Sequence, residues 1–182
     1  MKTILYIVVF LLVSALVYLG FYNAFYQPKV ALSNEGNETV VYLEVNDRYQ
    51  LTDSVMKVVF NELYEKNGIV ITKGFAVHQP LPEDAERSIT TLIAGCVVED
   101  EDTLMLSQIS NSFIIDQLPA DHYIVSDFPL KGKMSIMFGR YRVYPKLYDF
   151  CKKNGYELHE PVTEIYNRTE HKIHYRLKMV KI

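Results

Sequence analysis

The sequence has no tryptophan and only two cysteines in 182 residues. Two thiols are too few for a disulfide framework. Cys96 and Cys151 both sit among apolar neighbours and read as buried free thiols. Neither sign of charge prevails: 19 Lys and Arg stand against 22 Asp and Glu, a net of −3, and the basic residues are scattered. A nucleic-acid footprint needs a clustered basic surface, so that partner class is excluded. No grouping of serine, cysteine and histidine has the form of a nucleophilic triad. His171 and His174, three apart on a strand, point to opposite faces and cannot readily share an ion. "EDED" at 99–102 lacks the spaced ligands and turn glycine of a calcium loop. No metal and no cofactor is expected.

What the chain has is aromatic mass, 14 Tyr and 9 Phe, and one long apolar run. "TILYIVVFLLVSALVYLGFY", residues 3–22, carries no charge. Twenty helical residues rise about 30 Å, enough to cross a hydrocarbon core. A signal peptide is the rival reading, with Val13-Ser14-Ala15 as a cleavage site, but the apolar run continues well past it. The expectation is therefore an uncleaved single-pass anchor over residues 1–22. Lys2 and Lys29 flank the span evenly, and the N-terminal amine tips the orientation towards a domain on the extracytoplasmic side. Residues 23–38, with Pro28, Ser33, Asn34, Gly36 and Asn37, read as a stalk, and 39–182 as one domain.

That domain carries an internal repeat. Lys66-Asn67-Gly68 and Lys153-Asn154-Gly155 lie 87 positions apart (153 − 66), and the same offset lays Phe60 on Leu147 and Leu63 on Phe150. Each segment reads as a helix closed by a glycine and followed by a strand. The first helix is expected over 54–67, with Asp53 as N-cap and Met56, Val59, Phe60 and Leu63 as its core stripe. The second carries Val143, Leu147, Phe150 and Cys151, and Pro145 predicts a break between a short helix at 133–142 and a restart at 145–154. Strands are expected at 40–46, 71–79, 87–98, 112–118, 122–128, 161–167 and 171–180. Strand–helix–strand–strand, twice, gives an α+β domain with two main helices on a curved antiparallel sheet.

One strand holds an acid in a costly place. In "VTEIYN", residues 162–167, Glu164 shares a face with Val162 and Tyr166. The next strand puts Ile173, Tyr175, Leu177 and Met179 on one face. A loop over 167–170 would set Glu164 opposite Ile173, while a slip of one residue would turn it away. Either that face is solvated or the acid has a partner.

Several stretches resemble a known family. "LPADHYIV" at 118–125, "LYDFCKKNGY" at 147–156 and "TEIYN" at 163–167 look like the gyrase-inhibitor-like small-molecule-binding domain, also found as the effector-binding domain of bacterial multidrug-responsive transcription activators. "NELYEKNGI" at 61–69 matches more loosely, and the resemblance covers nearly all of 39–182. "FPLKGKMSIMFGRYRVYPKLYDF" at 128–150 is similar to the membrane-anchored branch of that family, which includes an animal single-pass reticulophagy receptor. The resemblance implies that the acid of the "EIY" strand lies in a ligand cavity and meets cationic, often aromatic, compounds. By position that acid is Glu164, with Tyr166 beside it. Phe75 and Val77 on the equivalent strand, and Tyr144 at the expected helix break, are the other candidate wall residues.

The reading that follows is a membrane-anchored, non-catalytic domain for cationic or aromatic amphipathic small molecules. Loss of Glu164 is then expected to weaken binding with little loss of stability. The alternative is a membrane-tethered protein-interaction module docking a protein partner. A small-molecule hydrolase ranks third, because it needs a second positioned polar group near Glu164, and the sequence offers no obvious one.

Overall fold

A computed structural model of the chain describes residues 2–47, 52–78, 90–157 and 161–181. Expected strand residues 79 and 87–89 lie outside them. The first element, α1 (Lys2–Phe21), buries none of its residues and has a mean hydropathy of 2.7. It is long and apolar enough to cross a membrane, a test that a signal sequence also passes.

The rest is α+β. Eight strands, β1 (Val30–Glu35), β2 (Thr39–Asp47), β3 (Lys73–His78), β4 (Thr90–Val98), β5 (Ile114–Gln117), β6 (Asp121–Pro129), β7 (Val162–Asn167) and β8 (Lys172–Lys178), form one curved antiparallel sheet. Its order is β1-β6-β8-β7-β3-β4-β2-β5. Two helices, α2 (Thr52–Phe60) and α3 (Lys133–Asn154), pack on one face, and "EDED" opens a 3-10 segment, Asp100–Gln108.

This order makes the duplication plain. Counting outward from the β3–β7 pair, β3, β4, β2, β5 mirror β7, β8, β6, β1. Strand–helix–strand–strand is present twice, as β2-α2-β3-β4 and β6-α3-β7-β8. The leading strands are exchanged: β1 precedes the first unit but pairs with β6, and β5 precedes the second but pairs with β2. The connections after them meet, with Asn37 N–H donating to the Leu118 carbonyl at 2.8 Å and Leu118 N–H to that of Glu38 at 2.9 Å. Gly36 has φ +121° there, and a Cβ would run into the Pro119 carbonyl, so glycine is required.

Residues 30–35 were expected to be stalk. They form the edge strand β1, antiparallel to β6, where Val30 packs against the core beneath the helices and Leu32, opposite Ile124, stays largely exposed. Upstream, Ala24 is buried, its carbonyl accepts from Arg142 Nε at 2.7 Å, and the Tyr26 ring meets Phe128 edge-on at 5.4 Å. The chain between α1 and the sheet is thus packed against the domain.

The helices also differ from expectation. α2 starts at Thr52, so Asp53 lies inside the first turn, where its charge suits the helix dipole. It widens into a π-helical segment over Asn61–Lys66 before Gly68 closes it at φ +70°. The buried stripe is Val55, Val59 and Leu63, with Met56 and Phe60 at its margin. α3 runs unbroken through Pro145. The ring is exposed, and the carbonyl four residues back belongs to the 74% exposed Tyr141, where water can replace the missing N–H. Its buried residues are Ser135, Gly139, Val143, Leu147 and Cys151, in steps of four. Gly139 lets the Tyr175 ring come so close that a Cβ would overlap its hydroxyl.

Candidate functional site

Glu164 lies at the centre of the sheet, opposite Ala76 on β3 and Tyr175 on β8. The β7–β8 register is two residues beyond the one expected, since His171 takes φ +51° in a turn over 168–171. A slip of two preserves parity, so the acid still faces the helices. It is fully buried.

It is also fully partnered. Arg140 reaches down from α3 and donates from Nε to Oε1 at 2.8 Å and from Nη2 to Oε2 at 2.9 Å. Tyr144, one turn further on the same helix face, donates to Oε1 at 2.7 Å, and Tyr166 donates to Oε2. Four donors fill the four acceptor positions of the carboxylate. Burial pushes the Glu164 carboxyl up, but the charge His78 takes on in acid, the charge of Arg140 and the hydrogen bonds from Arg140 and Tyr166 outweigh it and hold the group below the usual range. Burial and the carboxylate keep both phenols protonated, well above their ordinary range.

His78, opposite Val162 on the neighbouring strand, completes the cluster. Its Nε2 lies 3.5 Å from Glu164 Oε2 and 2.8 Å from Arg140 Nη2. Burial drives the imidazole down, Glu164 pulls it back in part, and Arg140 pushes it further, to about 4. It is therefore neutral at pH 7 and no ion-pair partner. With Arg140 able only to donate, Nε2 accepts and the proton sits on Nδ1.

The five residues singled out from sequence separate. Glu164, Tyr166 and Tyr144 are brought together. Phe75 and Val77 are not: β3 pairs Ala76 with Glu164, so its odd-numbered residues lie on the far face, in a cluster with Val40, Val97 and Ile165. The 87-residue offset aligns the glycines that end the helices, but, being odd, it lays Phe75 and Val77, on the far face of β3, on Val162 and Glu164, on the helix-covered face of β7. The offset therefore no longer matches strand faces. Arg140 and His78 were missed. Arg140 was legible as the residue four before Tyr144 on one helix face, and His78 as an even-numbered partner of Gly74 and Ala76.

A cleft of about 590 Å³ opens beside this cluster, between α2 and the start of α3. Its floor and walls are Met56, Phe60, Ile71, Gly74, Leu130 and Ile136, and Tyr166 closes its inner end. Glu164 does not line it; Tyr166 stands between the two, one side to the cleft and its hydroxyl to the acid. Gly74 keeps the floor low, where a Cβ would sit 3.1 Å from Met56 Sδ. No metal-ligating cluster of three side chains occurs among the described residues.

Fold and cleft together describe a duplicated α+β domain with a ligand-sized recess over the centre of its sheet. No protein-family model and no curated protein matches the chain. Solved structures do resemble it in fold. The EcmrR C-terminal domain has a TM-score of 0.61 at 14% identity, covering 85% of this chain and 99% of that one. In the EcmrR–DNA complex the likeness has a TM-score of 0.60 at 12% identity, covering 93% of this chain and 64% of EcmrR. SAV2435 bound to tetraphenylphosphonium has a TM-score of 0.51 at 12% identity, covering 84% of this chain and 94% of that one.

Proposed function

We propose that the chain is a membrane-anchored, non-catalytic small-molecule-binding domain, with α1 as anchor and the cleft between α2 and α3 as the binding site. The observation that carries this reading is the cleft itself: its size suits a drug-sized ligand, and its lining is apolar and aromatic with polar groups at the rim. A fold neighbour that holds tetraphenylphosphonium supports it.

The role of Glu164 changes from the one the resemblance implied. Its carboxylate already has an internal cation, so a cationic ligand would have to displace Arg140 to reach it. Glu164 instead fixes Tyr166, and Tyr166 is the group a ligand meets. The same saturation argues against hydrolysis, because no acceptor position is left to take a proton from water.

The test is fluorescence titration of the full chain in phosphatidylcholine nanodiscs with a cationic and a neutral aromatic dye. Saturable binding is expected, weakened at least tenfold by Gly74→Leu, which fills the floor. Equal signals from the parent and Gly74→Leu would remove the cleft from consideration.

The protein-interaction alternative has one observation behind it. Edge strand β5 is exposed throughout, with Ile114 and Ile115 at its surface, and an unpaired edge can accept another strand. Pull-down with the parent and with an Ile115→Lys variant separates this reading from the first.

A further inference from the structure

The cleft lies where α1 leaves off. The exposed Gly132 and Lys133, at the start of α3, line its mouth. The Tyr22 ring, one residue past α1, lies 3.5 Å from where a side chain on Gly132 would begin, and Lys131 Nζ stands 5.1 Å from the centre of the Phe21 ring. The Arg142 bond to the Ala24 carbonyl and the contact between Tyr26 and Phe128 fasten this junction. If α1 spans the bilayer, the mouth opens at the level of the lipid headgroups. Phe25 and Tyr141, exposed at 56% and 74%, are aromatic residues of the kind found at that depth.

The charge around the mouth favours one sign. Six charged side chains line the cleft: Lys57, Lys73, Lys133 and Arg168 against Asp53 and Glu65. Lys133 pairs with Asp53 at 2.7 Å across the mouth, and Lys73 pairs with Glu99 outside the cleft at 3.0 Å. Lys57 and Arg168, which lies over the Phe60 ring at 5.8 Å, then outnumber Glu65. α3 also begins at the mouth with no acidic residue in its first turn and no side-chain cap. An apolar floor beneath a basic rim is complementary to an acyl chain with an anionic head.

We infer that the cleft binds a single-chain anionic amphiphile drawn from the membrane surface, the acyl chain lying over Gly74 and Phe60 and the acidic head between Lys57 and Arg168. This inference rests on the binding-site reading above and names its ligand class.

The experiment uses the full chain in phosphatidylcholine vesicles with one of three photoactivatable diazirine probes: a long-chain fatty acid, its methyl ester, or an alkylammonium of equal length. After photolysis, labelled peptides are mapped by mass spectrometry. The acid is expected to label 56–74 and 130–140 at least tenfold more than the ester or the ammonium. Lys57→Glu should lower that labelling about fivefold, and Gly74→Leu should abolish it while labelling of α1 is unchanged. Unlabelled palmitate should compete, whereas octanoate or inorganic phosphate at equal concentration should not. Competition by phosphate would make the ligand a bare anion, and equal competition by octanoate would remove the membrane source; either overturns the inference. Preferential cleft labelling by the ammonium would also overturn it but leave the binding site standing. Labelling confined to α1 with every probe would overturn both.

Discussion

The two repeats share a topology but divide the labour. In the second, β7 supplies Glu164 and Tyr166, and α3 supplies Arg140 and Tyr144, so the middle of the sheet holds a closed polar network. The first gives Ala76 opposite that acid and one neutral imidazole, and α2 lays Val55 and Val59 on the sheet. The far face repeats the contrast on equivalent strands: β4 shows Ile93 and Val97 there, whereas β8 shows His174 and Arg176. Taking charges out of water is costly, so a single, fully partnered network carries less desolvation penalty than one in each repeat would. The free half can then keep the cleft apolar.

The largest expected effect breaks this contrast at its core. Glu164→Gln removes the carboxylate charge that Arg140 Nε and Nη2 both bond, and Arg140→Met takes the guanidinium away from the fully buried Glu164. Each should destabilise the fold by about 3–5 kcal/mol, where sequence alone suggested little loss. The double variant should cost clearly less than the sum of the two, read from chemical denaturation of the full chain in micelles. Additivity would mean the pair does not act as a unit.

A smaller effect should come from the contact that brings α3 onto the sheet. Gly139→Val puts a branched side chain where the Tyr175 hydroxyl sits and should cost about 1–3 kcal/mol by overpacking. Restoration by Tyr175→Phe, which removes the clashing oxygen, would sharpen the assignment, and no loss in Gly139→Val would refute the close approach.

The smallest concerns the charged half of the far face. Burial lowers the His174 imidazole, but its hydrogen bonds to Asp127 and Glu35 outweigh this and leave it raised. Asp127 is held low, chiefly by its bond to His174 Nδ1; burial raises Glu35, but its own bond to His174 Nε2, the charges of His174 and Arg176 and a bond to Ser33 together outweigh that and leave it low. A raised histidine stabilises fully below its ordinary 6.5 and loses the contribution as pH climbs through its shifted value. The lowered carboxylates stabilise above their ordinary 3.8 and 4.5 and lose it as pH falls through theirs. Melting temperature should therefore plateau between about pH 4.5 and 6.5. His174→Asn should flatten the upper limb, and an unchanged upper limb would show that another group titrates there.

Much of this was legible in the sequence because it rests on local periodicity. The alternation of Ile173, Tyr175 and Leu177 marked the buried face of β8, and the repeated Lys-Asn-Gly marked both helix ends. What escaped depends on non-local pairing. β1 is stabilised by a strand about 90 residues downstream, so its six residues read as linker. Arg140 looked like any surface arginine until the helix was set over Glu164, and Phe75 and Val77 were assigned through an offset that helix ends obey and strand faces do not. Ser135 and Gly139 belong to the buried stripe of α3 because they are small, which a search for apolar residues passes over.

The exchange of β1 and β5 also has a meaning for origin and assembly. Each repeat hands its first strand to the other, so a single repeat, cut from the chain, would present a β6 or β2 paired on one side only and an orphaned leading strand. The smallest closed arrangement for such a half is two copies related by a two-fold axis, each donating a strand to its mate. The present chain is in effect that swapped dimer written as one polypeptide, and its assembly is complete only once segments nearly a hundred residues apart have met.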